Sequence, residues 1–356
     1  MGTLECLDNT EMQEDIEQLV KEFTSVEKLR ESTVLVTGAT GLLGGQIVKT
    51  LACFNRIKNT KIQVIAYVRN EKKAQDMFGH LVQRGDVRIA VGDIDLPIQG
   101  VDAVDYIIHA ASATSSKYFV SHPVETIKTA LGGTNNVLEF AREQKNIKGI
   151  VYLSSLEVYG TPNEGKKSIT ENDYGYIDPV NTRSSYSEGK RMAECICASY
   201  AAEYQIPVKI ARLSQTFGPG VEYNDGRVFA EFARCAIEKK DIVLHTEGKT
   251  VRTYCYIKDA VSALLYIMVD GNIGEAYNVT NMQTAVSIRE MAEMVCKELA
   301  DSQIHVTIDI PEDIGAFGYN PEMIICLDSS KLEALGWTAT VDLKTMFARM
   351  IKGMKR

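Results

Sequence analysis

The chain lacks any apolar run approaching the roughly 20 residues that a membrane-spanning helix requires. Its N-terminus, MGTLECLDNTEMQED, is too acidic for a secretory or transit leader. Both absences lead us to expect a cytoplasmic protein with no membrane partner. An excess of positive charge is missing too: 39 Lys and Arg face 47 Asp and Glu, a net of −8. That balance argues against a broad electropositive footprint for nucleic acid or an anionic membrane surface. The eight cysteines form no CxxC pair and the five histidines no cluster, so neither a disulfide framework nor a zinc site is expected, and the thiols should be reduced and mostly buried. No internal repeat or low-complexity tract interrupts the sequence. What is present is 356 residues, 45% hydrophobic and 24% charged, the composition of one large or two coupled globular domains.

Residues 1–32 stand apart, with nine acidic and three basic side chains. Their net of −6 leaves −2 on the rest of the chain, so the acidity says little about an active site. Met12, Ile16, Leu19, Val20, Phe23, Val26 and Leu29 recur near every 3.6 residues, which predicts an amphipathic helix. Its apolar stripe must pack on the chain's own body, on a second subunit or on a partner; the first is the plainer expectation.

From Thr33 the pattern becomes strand, glycine turn, helix and strand, repeated through TVLVTG, KIQVIAYV, RIAVGDI, VDYIIHAA, GIVYLSS and VKIARLS. These runs are short and almost wholly apolar, as a parallel sheet covered on both faces demands. The expected fold is α/β: a Rossmann-type doubly wound parallel sheet over 33–216 and a smaller C-terminal lobe over 217–356, from which about 250–272 returns to the first domain.

Three constellations carry chemistry. In the first, Gly38, Gly41 and Gly44 of TGATGLLG follow an apolar strand and open a helix, with Thr40, Leu42 and Leu43 in the same turn. Such glycines permit a tight turn, close approach of a pyrophosphate and close packing, while the helix N-terminus offers oriented N–H donors. A dinucleotide, NAD or NADP, is therefore the expected cofactor. In the second, Arg69 ends the next strand where an NAD site would place an acid, followed by Lys72 and Lys73. A cation there suits a ribose 2′-phosphate and tips the choice slightly toward NADP, although Arg69 stacked on the adenine or simply solvated fits equally. Asp93 and Ile94, at the following strand end, suit an adenine edge.

The third constellation sets the reaction class. Ser155 ends the strand GIVYLSS, and Tyr186 and Lys190 lie four apart on a helix, so both project from one face. A lysine ammonium beside a phenol favours the phenolate, which can take a proton from a substrate hydroxyl as hydride leaves for nicotinamide. Ser155 would hold that hydroxyl.

TGATGLLG, HAAS at 109–112, SSLEVYG at 154–160, the Tyr186/Lys190 pair, RLSQTFGPG at 212–220 and the segment from Arg252 to Asp259 together resemble the extended short-chain dehydrogenase/reductases of the NAD-dependent epimerase/dehydratase family. The resemblance spans about residues 33–350 and is greatest to the UDP-glucuronate decarboxylase branch. It implies an enzyme that oxidises a nucleotide sugar at C4 with bound NAD(P) and then transforms the keto intermediate. It further implies a homodimer, Ala110 and Ala111 against the cofactor, and Ser112, Arg183, Gln215, Arg227 and Arg252 toward the substrate.

Within the resemblance Glu157 is the most informative residue, because dehydratases and decarboxylases use a glutamate here near the sugar C5 and C6; a structural pairing with Arg183 or Lys190 is the alternative. Several positions depart from the family. Leu156 replaces the dehydratases' aspartate, Ala130 an asparagine near the catalytic pair, and Gln215 the usual asparagine. The C-terminal arginine that grips the diphosphate has no evident counterpart in YNPEMIICLDSSKLEALGW, which leaves Arg227, Arg252 and Lys258 for phosphates. His109, which ends an apolar strand, and Trp337 are expected to be packed. Decarboxylation is the first expectation for the middle step and 4-epimerisation the rival. A catalytically silent dinucleotide-binding scaffold that uses residues 1–32 as a handle, and an NADPH-dependent carbonyl reductase, remain as other classes.

Overall fold

A computed structural model of the chain describes residues 3–112, 116–163, 165–311 and 322–354. After an N-terminal helix, α1 (Thr10–Glu22), the strands β1 (Thr33–Thr37), β2 (Gln63–Val68) and β3 (Val87–Val91) alternate with α2 (Leu42–Lys58) and α3 (Glu71–Arg84). Next come β4 (Tyr106–His109), α4 (Ser116–Ser121), α5 (Pro123–Lys128), a π-helical turn over Thr129–Gly133, α6 (Thr134–Glu143) and β5 (Gly149–Ser155), then α7 (Ser185–Tyr204) and β6 (Val208–Leu213). A second region opens with β7 (Gln215–Phe217), α8 (Val228–Glu238), β8 (Ile242–Leu244) and β9 (Val251–Tyr256). It is interrupted by α9 (Ile257–Asp270) and β10 (Ala276–Val279), and closes with β11 (Asn281–Ser287), α10 (Ile288–Glu298), β12 (Val306–Ile308), β13 (Ile324–Ile325), α11 (Ser330–Glu333) and α12 (Leu343–Gly353).

Seven strands form one sheet in the order β10-β6-β5-β4-β1-β2-β3, parallel throughout. The chain starts in the middle, winds outward through β2 and β3, and then crosses to β4 on the other side of β1. The carboxyl ends of β1 and β4, at Thr37 and His109, therefore flank the point where winding reverses, and a doubly wound sheet opens its binding crevice there. One face is covered by α1, α2 and α9, which bury Ile47, Leu51, Phe54, Leu264 and Met268; the other by α6 and α7, which bury Val137, Phe140 and Cys197. β7, β9, β11 and β13 make a second sheet whose core includes Phe217, Phe229, Tyr254 and Phe347.

The segment that returns to the large sheet is Ile257–Val279, which corrects the expected 250–272 at both ends. Val251–Tyr256 pairs with β7, β11 and β13 in the second sheet, whereas Ala276–Val279 adds the strand beside β6. Four residues, AYNV, are too short to display a period.

α1 is capped by Asn9, whose side chain accepts from Met12 N at 2.9 Å. All seven residues of the predicted apolar stripe, from Met12 to Leu29, are buried in the chain's own core, and α1 packs on α2, α9 and α12. Each such side chain contributes about 1.5–3 kcal/mol by leaving water. No apolar face of this helix remains to serve as a handle for another protein. Trp337 is buried, and its Nε1 donates to the Asp259 carbonyl at 3.0 Å. Among the described residues no helix is long and apolar enough to cross a membrane.

Candidate active site

The turn from β1 into α2 is shaped by its glycines. Gly38 has φ +64°, and a Cβ on it would lie 2.7–2.8 Å from the backbone of Ala110 and Ala111 at the end of β4. A Cβ on Gly44 would lie 2.3 Å from the Gly38 carbonyl oxygen. The N-cap of α2, Gly41, makes no side-chain capping bond, so the first-turn N–H groups are left for a group in front of them. They face a cleft of about 730 Å³, lined here by Gly38, Thr40, Gly41, Leu42, Leu43 and Gly44. An uncapped helix end on a roomy crevice at the reversal of winding fits a dinucleotide pyrophosphate.

Arg69, Asp93 and Ile94 line the same cleft, as do Ala110, Ala111 and Ser112. Lys73 of the Arg69 constellation joins them, as do Tyr67 and Asn70, which carried no motif. A Cβ on Gly92 would come within 2.1 Å of the Tyr67 hydroxyl, so that glycine makes room for the ring. Asn70 caps α3 by accepting from Lys73 N at 2.9 Å, which sets Arg69 and Lys73 at one rim. His109 is packed as expected: it lies 2.8 Å from Thr37 Oγ1 and 3.3 Å from Thr134 Oγ1, and burial pushes its imidazole down to about 3.

At the carboxyl end of β5 the chain turns through a short 3-10 helix, Leu156–Tyr159, started by Ser155 Oγ accepting from Glu157 N at 3.2 Å. Ser155, Glu157, Tyr186 and Lys190 all line the cleft. Ser155 lies beside the Tyr186 phenol and favours its ionised form. Lys190 Nζ donates to the Leu153 carbonyl at 2.7 Å and lies 5.8 Å from the Tyr186 ring centroid. Phe119, from α4, stacks on Tyr186 at 4.2 Å and 8°; nothing in its local pattern marked it.

The electrostatics differ from expectation. Burial pushes the Tyr186 phenol up to about 12, against the opposing pull of the Ser155 hydrogen bond and of Arg183 and Arg227. Burial likewise brings the Lys190 ammonium down to about 8. Tyr186 therefore stands above its ordinary value rather than below it, because desolvation disfavours its charged form.

Toward the second lobe, Gln215, Arg227 and Arg252 line the cleft. Gln215 Oε1 and Arg252 Nε are buried without a hydrogen-bond partner, a cost that a bound polar ligand would offset. Arg227 is already paired, its guanidinium gripping Asp225 at 2.6–3.1 Å. Two expected cations lie elsewhere. Arg183 sits behind Glu157, with its NH2 3.5 Å from Glu157 Oε1 and its guanidinium over Phe119, and does not line the cleft. Lys258 lines a separate cavity of about 180 Å³ between α1, α9 and the Gly336–Thr340 segment, 3.9 Å from Glu22 and Asp259. The reason is that it falls on the first turn of α9, which turns back under the large sheet. The Ala130 position lies in the π-helical turn, where a Cβ on Gly189 of α7 would be 3.2 Å from the Ala130 methyl. The stretch 312–321, which includes the start of the segment lacking the expected arginine, lies outside the described residues.

The sequence model of the NAD dependent epimerase/dehydratase family matches residues 34–280. UDP-glucuronic acid decarboxylase 6 of Arabidopsis thaliana is 29% identical over 316 residues, covering 87% of this chain and 85% of that protein. Among solved structures, UDP-glucose 4-epimerase of Thermotoga maritima, crystallised with UDP-glucose, superposes with a TM-score of 0.74 at 18% identity, covering 90% of this chain and 98% of the other. UDP-glucuronic acid 4-epimerase of Bacillus cereus, crystallised with NAD, gives 0.70 at 20% identity over 90% and 98%.

Proposed function

The chain belongs to the NAD dependent epimerase/dehydratase family, and on that premise we propose that it decarboxylates a UDP-glucuronate-like nucleotide sugar through a C4-keto intermediate, using bound NAD(P). The observation that carries this is the meeting of Ser155, Tyr186, Lys190 and Glu157 in the cleft that the glycine turn opens. Ser155 holds the O4 hydroxyl of the sugar against Tyr186, and Tyr186 takes its proton. A nicotinamide dinucleotide held by the glycine turn and the first turn of α2 would supply a reversible hydride acceptor at C4 and a positive charge that favours the Tyr186 phenolate. With C4 a ketone, a C5 carboxylate is a β-keto acid: its C–C bond breaks, CO2 leaves, and the electron pair rests on the enolate at C5. Glu157 is placed to deliver the proton that C5 then needs, and Tyr186 returns its proton to O4 as the ketone is reduced.

Arg252 and Arg227 would meet the diphosphate and Gln215 a hydroxyl or N–H of the substrate, and the unpartnered Arg252 Nε donor and Gln215 Oε1 acceptor support that placement. Arg69 and Lys73 at the rim favour NADP over NAD; cofactor titrations compared for the two dinucleotides test it. A homodimer and a cytoplasmic location complete the reading, and sedimentation tests the first.

Incubating the protein with UDP-glucuronate should release CO2 and leave a pentose nucleotide without net cofactor consumption. One observation favours 4-epimerisation instead: Glu157 is shared between Arg183 at 3.5 Å and Ser187 Oγ at 3.3 Å, which commits its carboxylate. Recovery of the C4 epimer with no CO2 would establish that alternative, and stoichiometric cofactor consumption would point to a plain reductase.

A further inference from the structure

Three consecutive residues at the end of β5 are each tied to α7, at helix positions four apart. Ser155 lies beside the Tyr186 phenol and favours its ionised form, the Leu153 carbonyl accepts from Lys190 Nζ at 2.7 Å, and Ser154 Oγ donates to Glu194 Oε1 at 2.5 Å. Residues 186, 190 and 194 share one helix face because they stand at i, i+4 and i+8. The first two ties belong to the proposed chemistry. The third does not: Glu194 is outside the cleft and 6% exposed.

Glu194 is held on its far side by Arg212, which is 2% exposed and sits beside Ser154 in the register of β5 and β6. Arg212 Nε reaches both carboxylate oxygens at 3.0 and 3.1 Å, and its NH2 reaches Oε2 at 2.6 Å. The remaining donors go to the Tyr159 hydroxyl at 3.0 Å, the Glu171 carbonyl at 2.7 Å and the Tyr174 hydroxyl at 2.8 Å. Two charges this deeply buried do not repay their desolvation in stability, since apolar side chains of similar volume commonly serve a fold as well. What such a pair supplies is a fixed place for a charge. Lys190 is lowered by burial, and Glu194 is the foremost group opposing that fall.

We propose that Glu194, clamped by Arg212, is a positioning residue for Ser155, Tyr186 and Lys190: it fixes α7 against the end of β5 and holds a negative charge one helical turn from the Lys190 ammonium. The proposal rests on the catalytic assignment of those three residues above. Ser154 also lines the cleft, so Ser154→Ala removes the tie from strand to helix together with one cleft hydroxyl, and leaves the ion pair intact. It should lower kcat about tenfold to a hundredfold, as a small misplacement of reacting groups does, with KM and the melting temperature unchanged. The double variant Glu194→Met with Arg212→Met keeps the bulk and discards the charges.

In that double variant, with NAD(P) bound, Lys190 should lose its proton about half a pH unit lower. Competitive acetylation of Lys190, followed by mass spectrometry of its peptide, reads that titration without any substrate, so the outcome stands whether or not the decarboxylase reading survives. A Ser154→Ala variant with wild-type kcat overturns the positioning role, even if the double variant fails to fold. A Lys190 titration unmoved in a folded double variant overturns the electrostatic one.

Discussion

Two of the buried charges in this chain, Glu5 and Lys190, are partnered differently. Near the N-terminus, Glu5 is completely buried and accepts hydrogen bonds from Gln13 at 3.0 Å, from Arg56 at 2.8–3.2 Å and from Arg84 at 2.7 Å. Burial would raise this carboxyl, yet the three partners outweigh burial and hold it down at about 2. At the end of β5, Lys190 has one hydrogen bond, to Leu153, and otherwise faces the rings of Tyr152 at 4.7 Å and Tyr186 at 5.8 Å. There burial wins, and the ammonium drops to about 8. A charge saturated with partners is locked in one state and belongs to the fold. One left short of partners beside a cleft sits near its own titration at neutral pH, the condition that proton transfer needs.

The sharpest way to break this contrast is to remove each charge and measure both stability and turnover. Lys190→Ala should cost turnover about a hundredfold to ten-thousandfold, the usual worth of positioned acid–base chemistry. Its melting temperature should hold or rise, because a desolvated and poorly partnered cation is lost. A Lys190→Ala protein with normal turnover and a lowered melting temperature would place this lysine in the same class as Glu5.

Glu5→Gln should do the reverse. Neutralising Glu5 leaves partly buried Arg56 and Arg84 with only Glu17 and Asp86 as acidic partners, and the fall of the carboxyl from 4.5 to about 2 corresponds to about 3 kcal/mol. Denaturant unfolding should show that loss at pH 7 with kcat retained. Because the folded value lies below the unfolded one, the contribution is present above about pH 4.5 and drains away as pH falls toward 2. Wild type and Glu5→Gln should therefore converge in stability at low pH, and a gap independent of pH would show that Glu5 acts by packing alone.

The contrast also divides what could be seen in the sequence. Gly38, Gly41 and Gly44, Ser155, Tyr186 and Lys190 stand in short local patterns, and their types and spacings already imply a turn, a strand end and a helix face. The first six parallel strands were legible for the same reason, each being a dense apolar run. The pairing of Glu194 with Arg212, the first residue of RLSQTFGPG, left no signal, since their meeting depends on the register of β5 with β6 and on how α7 lies across it. Glu5 is 51 residues from Arg56 and 79 from Arg84; the acidic count of the first 32 residues does not show which of its members are buried, and Glu5 wholly is. Lys258 failed in the opposite sense, a cation beside a family-like motif that α9 carries under the large sheet, away from the cleft. Local chemistry is written in local sequence, and long-range charge pairing is written in topology.

A finer test lies within the N-terminal segment, where two buried carboxyls respond to pH with opposite sign. Asp15 of α1 accepts from the Tyr256 hydroxyl and pairs with Arg349 of α12 at 3.0 Å. Here burial outweighs Tyr256 and Arg349, and the carboxyl rises from 3.8 to about 6. A raised folded value means that the native state holds its proton more tightly than the unfolded chain, so this contribution is complete below about pH 3.8 and is lost as pH climbs through about 6. Asp15→Asn keeps the shape and cannot ionise. Relative to wild type, the variant should gain about 1–2 kcal/mol as pH rises from 4 to 6.5, while Glu5→Gln loses ground over the lower part of that range. Stability curves that move in the same direction for both variants would mean that Asp15 is saturated like Glu5, and that the line between locked and titratable charge runs along the cleft alone.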